Sequence, residues 1–205
     1  MKATEILMQE HRIIEVVLDA IDGLATKAEQ DGRLDGDDAR EAIDFVRNFA
    51  DRCHHSKEEG ILFPAMAAKG IPQEGGPIGA MLHEHEVGRA YVRGMEDQIK
   101  AGQDGDEQAI REFAKHARGY TALLRQHIHK EDNILYRLAE QVLDDKDQSS
   151  VLAQYDHVES DHMGAGEHEK YLEIGHRLAQ KYVEPDRLDE SVFDAHAAGC
   201  CHEHN

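Results

Sequence analysis

The sequence predicts an all-α fold, a bundle of long helices, on three observations. All four prolines, Pro64, Pro72, Pro77 and Pro185, sit near segment ends, so nothing from 78 to 184 removes a helical hydrogen bond. Alanine, leucine, glutamate, arginine and glutamine are abundant, tryptophan is absent, and two-residue alternation is nowhere sustained. Apolar residues instead recur at steps of three and four, the spacing that lines one helix face.

Stretches rich in Gly, Asp and Pro around 30–36, 68–77, 101–105 and 144–150 separate five helical segments, at about 2–29, 38–67, 78–101, 107–143 and 150–182. In the first, Leu7, His11, Ile14, Leu18, Ile21 and Ala25 form an inward seam. Asp38 followed by Glu41 gives the second a capping-box-like start. Its inner stripe is Ile43, Val46, Ala50, His54, Glu58, Ile61 and Ala65, which places His55 on the solvent face with Asp51 and Asp44. Met81, His85, Gly88, Val92, Met95 and Ile99 line the third. Phe113, Ala117, Tyr120, Leu124, His127, Glu131, Ile134 and Leu138 line the fourth. Residues 1–143 are read as the bundle, 144–184 as a helical extension packed on it, and 185–205 as a polar His/Cys tail expected to be disordered.

At 205 residues, 40% hydrophobic and 32% charged, the chain fits one soluble domain. A net charge of −19 argues against nucleic acid and anionic membranes as partners. No apolar run approaches the roughly 18 residues of a membrane span, and Met1 to Glu5 opens no signal-peptide core. Three cysteines, Cys53, Cys200 and Cys201, make no disulfide framework, so a cytoplasmic location is expected, as monomer or dimer. The compositional outlier is 15 histidines.

Their positions form a repeat. Glu10-His11 is echoed by Glu84-His85, and His54-xxx-Glu58-xxx-Leu62-Phe63 by His127-xxx-Glu131-xxx-Leu135-Tyr136, at offsets of 73 or 74 residues. Residues four apart share a helix face, so each His/Glu pair presents an imidazole and a carboxylate to one point of a core. A buried ionised carboxylate is costly unless it is paired or ligates a metal. Four histidines and two carboxylates suit two metals, each with two imidazoles and both carboxylates as bridges. Imidazole and carboxylate without thiolate are compatible with iron or manganese, and an open position on a redox metal implies O2, peroxide or NO chemistry.

Gln9-Glu10-His11, the run from Cys53 to Pro64, Met81-Leu82-His83-Glu84-His85 and the run from His127 to Tyr136 strongly resemble the hemerythrin-like HHE cation-binding domains, over about residues 1–143. The resemblance implies an up-down-up-down four-helix bundle with an additional C-terminal helix and a non-haem di-iron centre. In it, His11, His54, Glu58, His85, His127 and Glu131 ligate two iron ions with a bridging oxygen, or two manganese ions or a mixed pair, and Glu58 and Glu131 bridge. Oxygen-carrying members use two third-helix histidines and a fourth-helix aspartate; here the third helix has one well-placed histidine and the fourth offers Glu131. The pattern looks closer to HHE proteins of iron sensing, stress response and repair of iron centres. The expected function is binding, sensing or reaction with O2, NO or peroxide. Iron storage, donation or repair, and peroxide consumption by a di-iron oxidoreductase, are the alternatives.

Several residues carry secondary roles in this reading. His83, Glu59 and Tyr120 are candidates for the surroundings of the metals, Tyr120 as a core residue or as a hydrogen-bond donor. His168 is a candidate seventh ligand from the extension. Glu10 and Glu84 are read as solvated, and His55 and His129 as exposed. Cys200-Cys201-His202-Glu203-His204, with His196, is read as a disordered terminal peptide, with transient metal delivery to the core as the alternative.

Overall fold

The computed structural model describes residues 2–162 and 164–193, and among them no strand occurs. Helix α1 (Ala3–Asp31) ends where Gly32, at φ 66°, turns left-handed and donates its N–H to the Ala28 carbonyl. α2 runs from 36 to 68. Its cap is Asp35, whose side chain accepts from the Asp38 N–H, so Asp38 is not the cap that the sequence pattern suggested. α3 (Gly76–Glu96) is followed by the short α4 (Ile99–Gln103), and α5 spans 107–142 from an Asp106 cap.

The segment expected at 150–182 is two helices, α6 (Asp145–His162) and α7 (Gly164–Tyr182). α6 also starts five residues earlier than expected, because Asp144 accepts from the N–H groups of Lys146 and Asp147 and turns a loop-like sequence into a helix start.

α5 packs along both α1 and α3, and α7 lies along α1 and α2. The α1–α7 approach is close: a Cβ on Gly23 would sit 2.1 Å from the Tyr182 carbonyl oxygen. Past Pro185 the chain turns back, and Phe193 is buried against α7 with its ring 5.1 Å from that of His176. The first part of the expected polar tail is thus packed; Cys200, Cys201 and the neighbouring histidines lie outside the described residues.

Two apolar cores occupy the two ends of the bundle. One gathers Ile14, Leu18, Phe49, Cys53, Val92, Leu124 and Ile128, the other Leu7, Ile61, Leu62, Met66, Met81 and Leu135. On each helix the residues between them are the histidines and glutamates of the repeat. At about 1.5–3 kcal/mol for each buried aliphatic side chain, the two cores clamp a polar layer that does not favour its own burial.

α7 is fastened to the start of α2 through Asp38, which accepts hydrogen bonds from Tyr182 at 2.6 Å, Arg177 at 2.9 Å and Lys181. Burial alone would raise this carboxyl, but hydrogen bonds from Lys181, Tyr182 and Arg177 override it and lower it to about 2. We expect Asp38→Asn to lose about 1–3 kcal/mol of stability at neutral pH in chemical denaturation. Because the folded carboxyl titrates below its unfolded value, this advantage is complete above the ordinary carboxylate range and disappears as pH falls toward 2. The wild-type and variant curves should converge in acid.

Candidate metal centre

α2 and α5 change winding where they cross the polar layer. Residues Val46–His55, Glu58–Leu62 and Glu131–Leu135 are π-helical. The N–H groups of Phe63 and Tyr136 bond to the carbonyls of Glu58 and Glu131, five residues back. Each wide turn admits an extra residue and shifts the inward face. His55, expected on the solvent side, is consequently buried beside His54, their rings 5.6 Å apart. Ile134, expected on the α5 seam, is 59% exposed, and Leu135 and Tyr136 turn inward in its place.

The six residues predicted as ligands are all buried and meet in this layer. Two donor groups form: His11, His54, Glu58 and Glu131, and His55, His85, His127 and Glu58, with the donor atoms of each within 4.8 Å of one another. Glu131 spans both, with Oε2 3.3 Å from His11 Nε2 and Oε1 3.1 Å from His127 Nε2. Glu58 Oε2 lies 3.8 Å from His54 Nε2 and 3.5 Å from His85 Nε2.

Every one of the five histidines has its other nitrogen against a carboxylate. His11 Nδ1 meets Asp132 at 2.7 Å, His54 Nδ1 meets Glu10 at 2.8 Å, and His55 Nδ1 meets Asp51 at 3.2 Å. His85 Nδ1 meets Glu59 at 2.6 Å, and His127 Nδ1 meets Glu84 at 2.9 Å. Cations hold these carboxylates in turn: Lys57 on Glu10, Lys130 on Glu84, Arg12 on Asp132, and Arg89 on both Asp51 and Glu59. Glu10 and Glu84 are therefore anchors, not solvated surface, and Glu10 is 1% exposed. The repeat carried this signal, since Glu10/Lys57 and Glu84/Lys130 obey the same offsets as the histidines.

A carboxylate can only accept, so each neutral ring carries its proton on Nδ1 and turns the Nε2 lone pair inward. His85 Nε2 and His127 Nε2 stand 3.0 Å apart, and Glu58 Oε2 and both Glu131 oxygens are buried without a hydrogen bond. Acceptors thus face acceptors. Protons relieve part of this. Burial would lower His11, but Asp132 and Glu131 raise it to about 9; His127 is likewise raised against burial by Glu131 and Glu84. Burial would raise Glu131, but His127 and His11 hold it low. Glu58 is pushed up by burial and by the neighbouring Glu131. His54, His55 and His85 are lowered to about 4, by burial before any other cause, and stay neutral. Protons therefore leave most of the donor set unanswered, and its chemistry fits divalent or trivalent cations.

Tyr136, which the sequence marked only as a member of the repeat, donates to Glu58 Oε1 at 2.7 Å and lies 3.4 Å from His11 Nε2. Its counterpart in the other half is Phe63, stacked 6.3 Å from His85. Glu59 is placed as the anchor of His85. Tyr120 is buried on the opposite side, beside His55 and His85, with no hydrogen bond to its hydroxyl. His83 and His129 are exposed. His168 belongs to neither donor group; its ring packs 5.6 Å from Phe49.

No curated protein sequence and no solved structure matches the chain. The family model of the hemerythrin HHE cation-binding domain matches residues 2–139, a span that contains every donor described above. That match, with the all-α bundle and the buried His/Glu layer, identifies a metal-binding helical protein. The chain belongs to the hemerythrin HHE cation-binding domain family.

Proposed function

We propose that the chain is a non-haem di-iron protein whose centre binds and reacts with O2, NO or peroxide. The observation that carries this reading is the convergence of five imidazole Nε2 atoms on Glu58 and Glu131, with acceptors facing acceptors. In it, His11 and His54 would hold one ion and His55, His85 and His127 the other, with Glu58 and Glu131 available to both. Iron held by this ligand set would supply redox chemistry. The chain's own residues orient and insulate. The five carboxylates fix ring orientation and raise imidazole basicity, the cations behind them hold the carboxylates, and the apolar cores exclude water. Tyr136, bonded to Glu58 on the side of His11, places a phenol beside the donor group with fewer histidines.

Burial favours a resident centre over exchangeable storage. Glu58 and Glu131 are fully buried, and the nearest basic anchor, Lys57, is buried with them.

We expect about two iron ions per chain after reconstitution, measured by metal analysis. His54→Ala, His55→Ala, His85→Ala and Glu131→Ala should each lower this content, and His83→Ala should leave it unchanged; an unchanged content in His55→Ala would contradict the three-histidine group. Glu10→Ala removes an anchor and not a donor, so it should weaken metal affinity by about 10- to 100-fold in a chelator competition. Anaerobic titration of the reduced iron form with O2, NO and hydrogen peroxide, with spectrum and turnover followed together, separates binding from catalysis. A spectrum indifferent to all three ligands would refute the reactive centre.

A further inference from the structure

The two halves of the repeat differ at two positions that bear on the donors, and the differences are complementary. His55 gives its group a third histidine, and the residue 73 positions later is Ile128, which offers no donor to the other group. The second difference runs the opposite way. Phe63 stacks on His85 with centroids 6.3 Å apart and planes at 14°, and 73 positions later Tyr136 stacks on His11 at 5.5 Å and 8°. The two rings occupy equivalent places, and the one beside the histidine-poor group carries an oxygen.

That oxygen is directed into the donor layer. Tyr136 is fully buried, and its hydroxyl donates to Glu58 Oε1 at 2.7 Å and lies 3.4 Å from His11 Nε2. Glu131 Oε2 is 3.3 Å from the same nitrogen, so the phenol stands as close to His11 as a carboxylate of the donor group does. Both separations fall well inside the 4.8 Å that spans the donors of that group. Tyr120 and Tyr155 are buried as well, but their hydroxyls bond to none of the donors.

We infer that Tyr136 is a metal ligand, the fifth donor of the group formed by His11, His54, Glu58 and Glu131, and that its phenolate oxygen suits this position to iron(III). Each group then has three donors of its own and the two carboxylates that both can use: His11, His54 and Tyr136 on one side, His55, His85 and His127 on the other. A phenolate is a hard anionic oxygen, matched better by a trivalent than by a divalent ion. On binding, the oxygen gives a lone pair to the ion, and the proton now donated to Glu58 Oε1 passes to the buffer; no electron is transferred. The inference rests on the iron reading of the donor layer.

The test loads the full chain with iron, oxidises it, and records visible absorption and resonance Raman spectra. The wild type should show phenolate-to-iron(III) charge transfer with enhanced ring modes of a tyrosinate. Tyr136→Phe should lose both signals, and Tyr155→Phe should keep them. Gallium(III), a redox-inert ion of the same charge, should produce the ultraviolet difference spectrum of one tyrosinate per chain in wild type and none in Tyr136→Phe. In chelator competition, Tyr136→Phe should weaken gallium(III) binding at least about tenfold and zinc(II) binding far less. Equal losses for the two ions would make Tyr136 a packing residue and overturn the inference. So would wild-type protein that holds two ferric ions without a phenolate band, a result that needs no variant to fold and leaves the di-iron centre standing. A phenolate band on a centre indifferent to O2, NO and hydrogen peroxide does the reverse: the ligand stands and the reactive centre falls. Retention of neither trivalent ion overturns both.

Discussion

Two carboxylates and five imidazole lone pairs, sealed from water and pointed at one another, set the terms for the rest of the molecule. Left as neutral and anionic acceptors they repel, and desolvation of each ionised carboxylate costs several kcal/mol. The surrounding structure holds this arrangement in place. Apolar cores above and below it supply the favourable burial. The Nδ1 anchors prevent any ring from turning its lone pair away, and Lys57, Lys130, Arg12 and Arg89 prevent the anchors from moving. The site is preorganised for cations because the rings cannot turn away and protons answer only part of the donor set.

Much of this was legible in the sequence, for a definite reason. A straight helix projects its period directly onto burial, so the seams of α1 and α3 placed His11, His85 and Gly88 inward, and the repeat placed His54, Glu58, His127 and Glu131. What escaped follows from two causes. The π turns add a residue to α2 and α5 inside the polar layer, so a fixed three-four rhythm puts His55 outside, Ile134 inside, and overlooks the inward turn of Tyr136 toward the donors. Glu10 and Asp132 act across to other helices, on His54 and His11, and no periodicity within one helix reports a partner more than 40 residues away.

The two halves are copies that differ where it matters chemically. His55 and its anchor Asp51 have apolar counterparts, Ile128 and Leu124, so one donor group has three histidines and the other two. Phe63 stacks on the side of His85, whereas Tyr136 brings a hydroxyl to the side of His11. The anchors differ as well: Lys57 and Glu10 are closed off from solvent, while the Lys130 and Glu84 side chains are 36% and 19% exposed. The repeat thus yields two inequivalent donor groups, one richer in imidazoles and one bordered by a phenol.

Lys57 sits 5.8 Å from the ring of Tyr155, which belongs to α6, and both side chains are buried in the described structure. The family match ends at residue 139, yet the lid over this lysine begins beyond it. The recognisable domain therefore contains the donors without containing all of their insulation. A chain cut at the family boundary would keep every donor and admit water to the Lys57–Glu10 pair behind His54, so the electrical environment of the donor layer is a property of the extended chain.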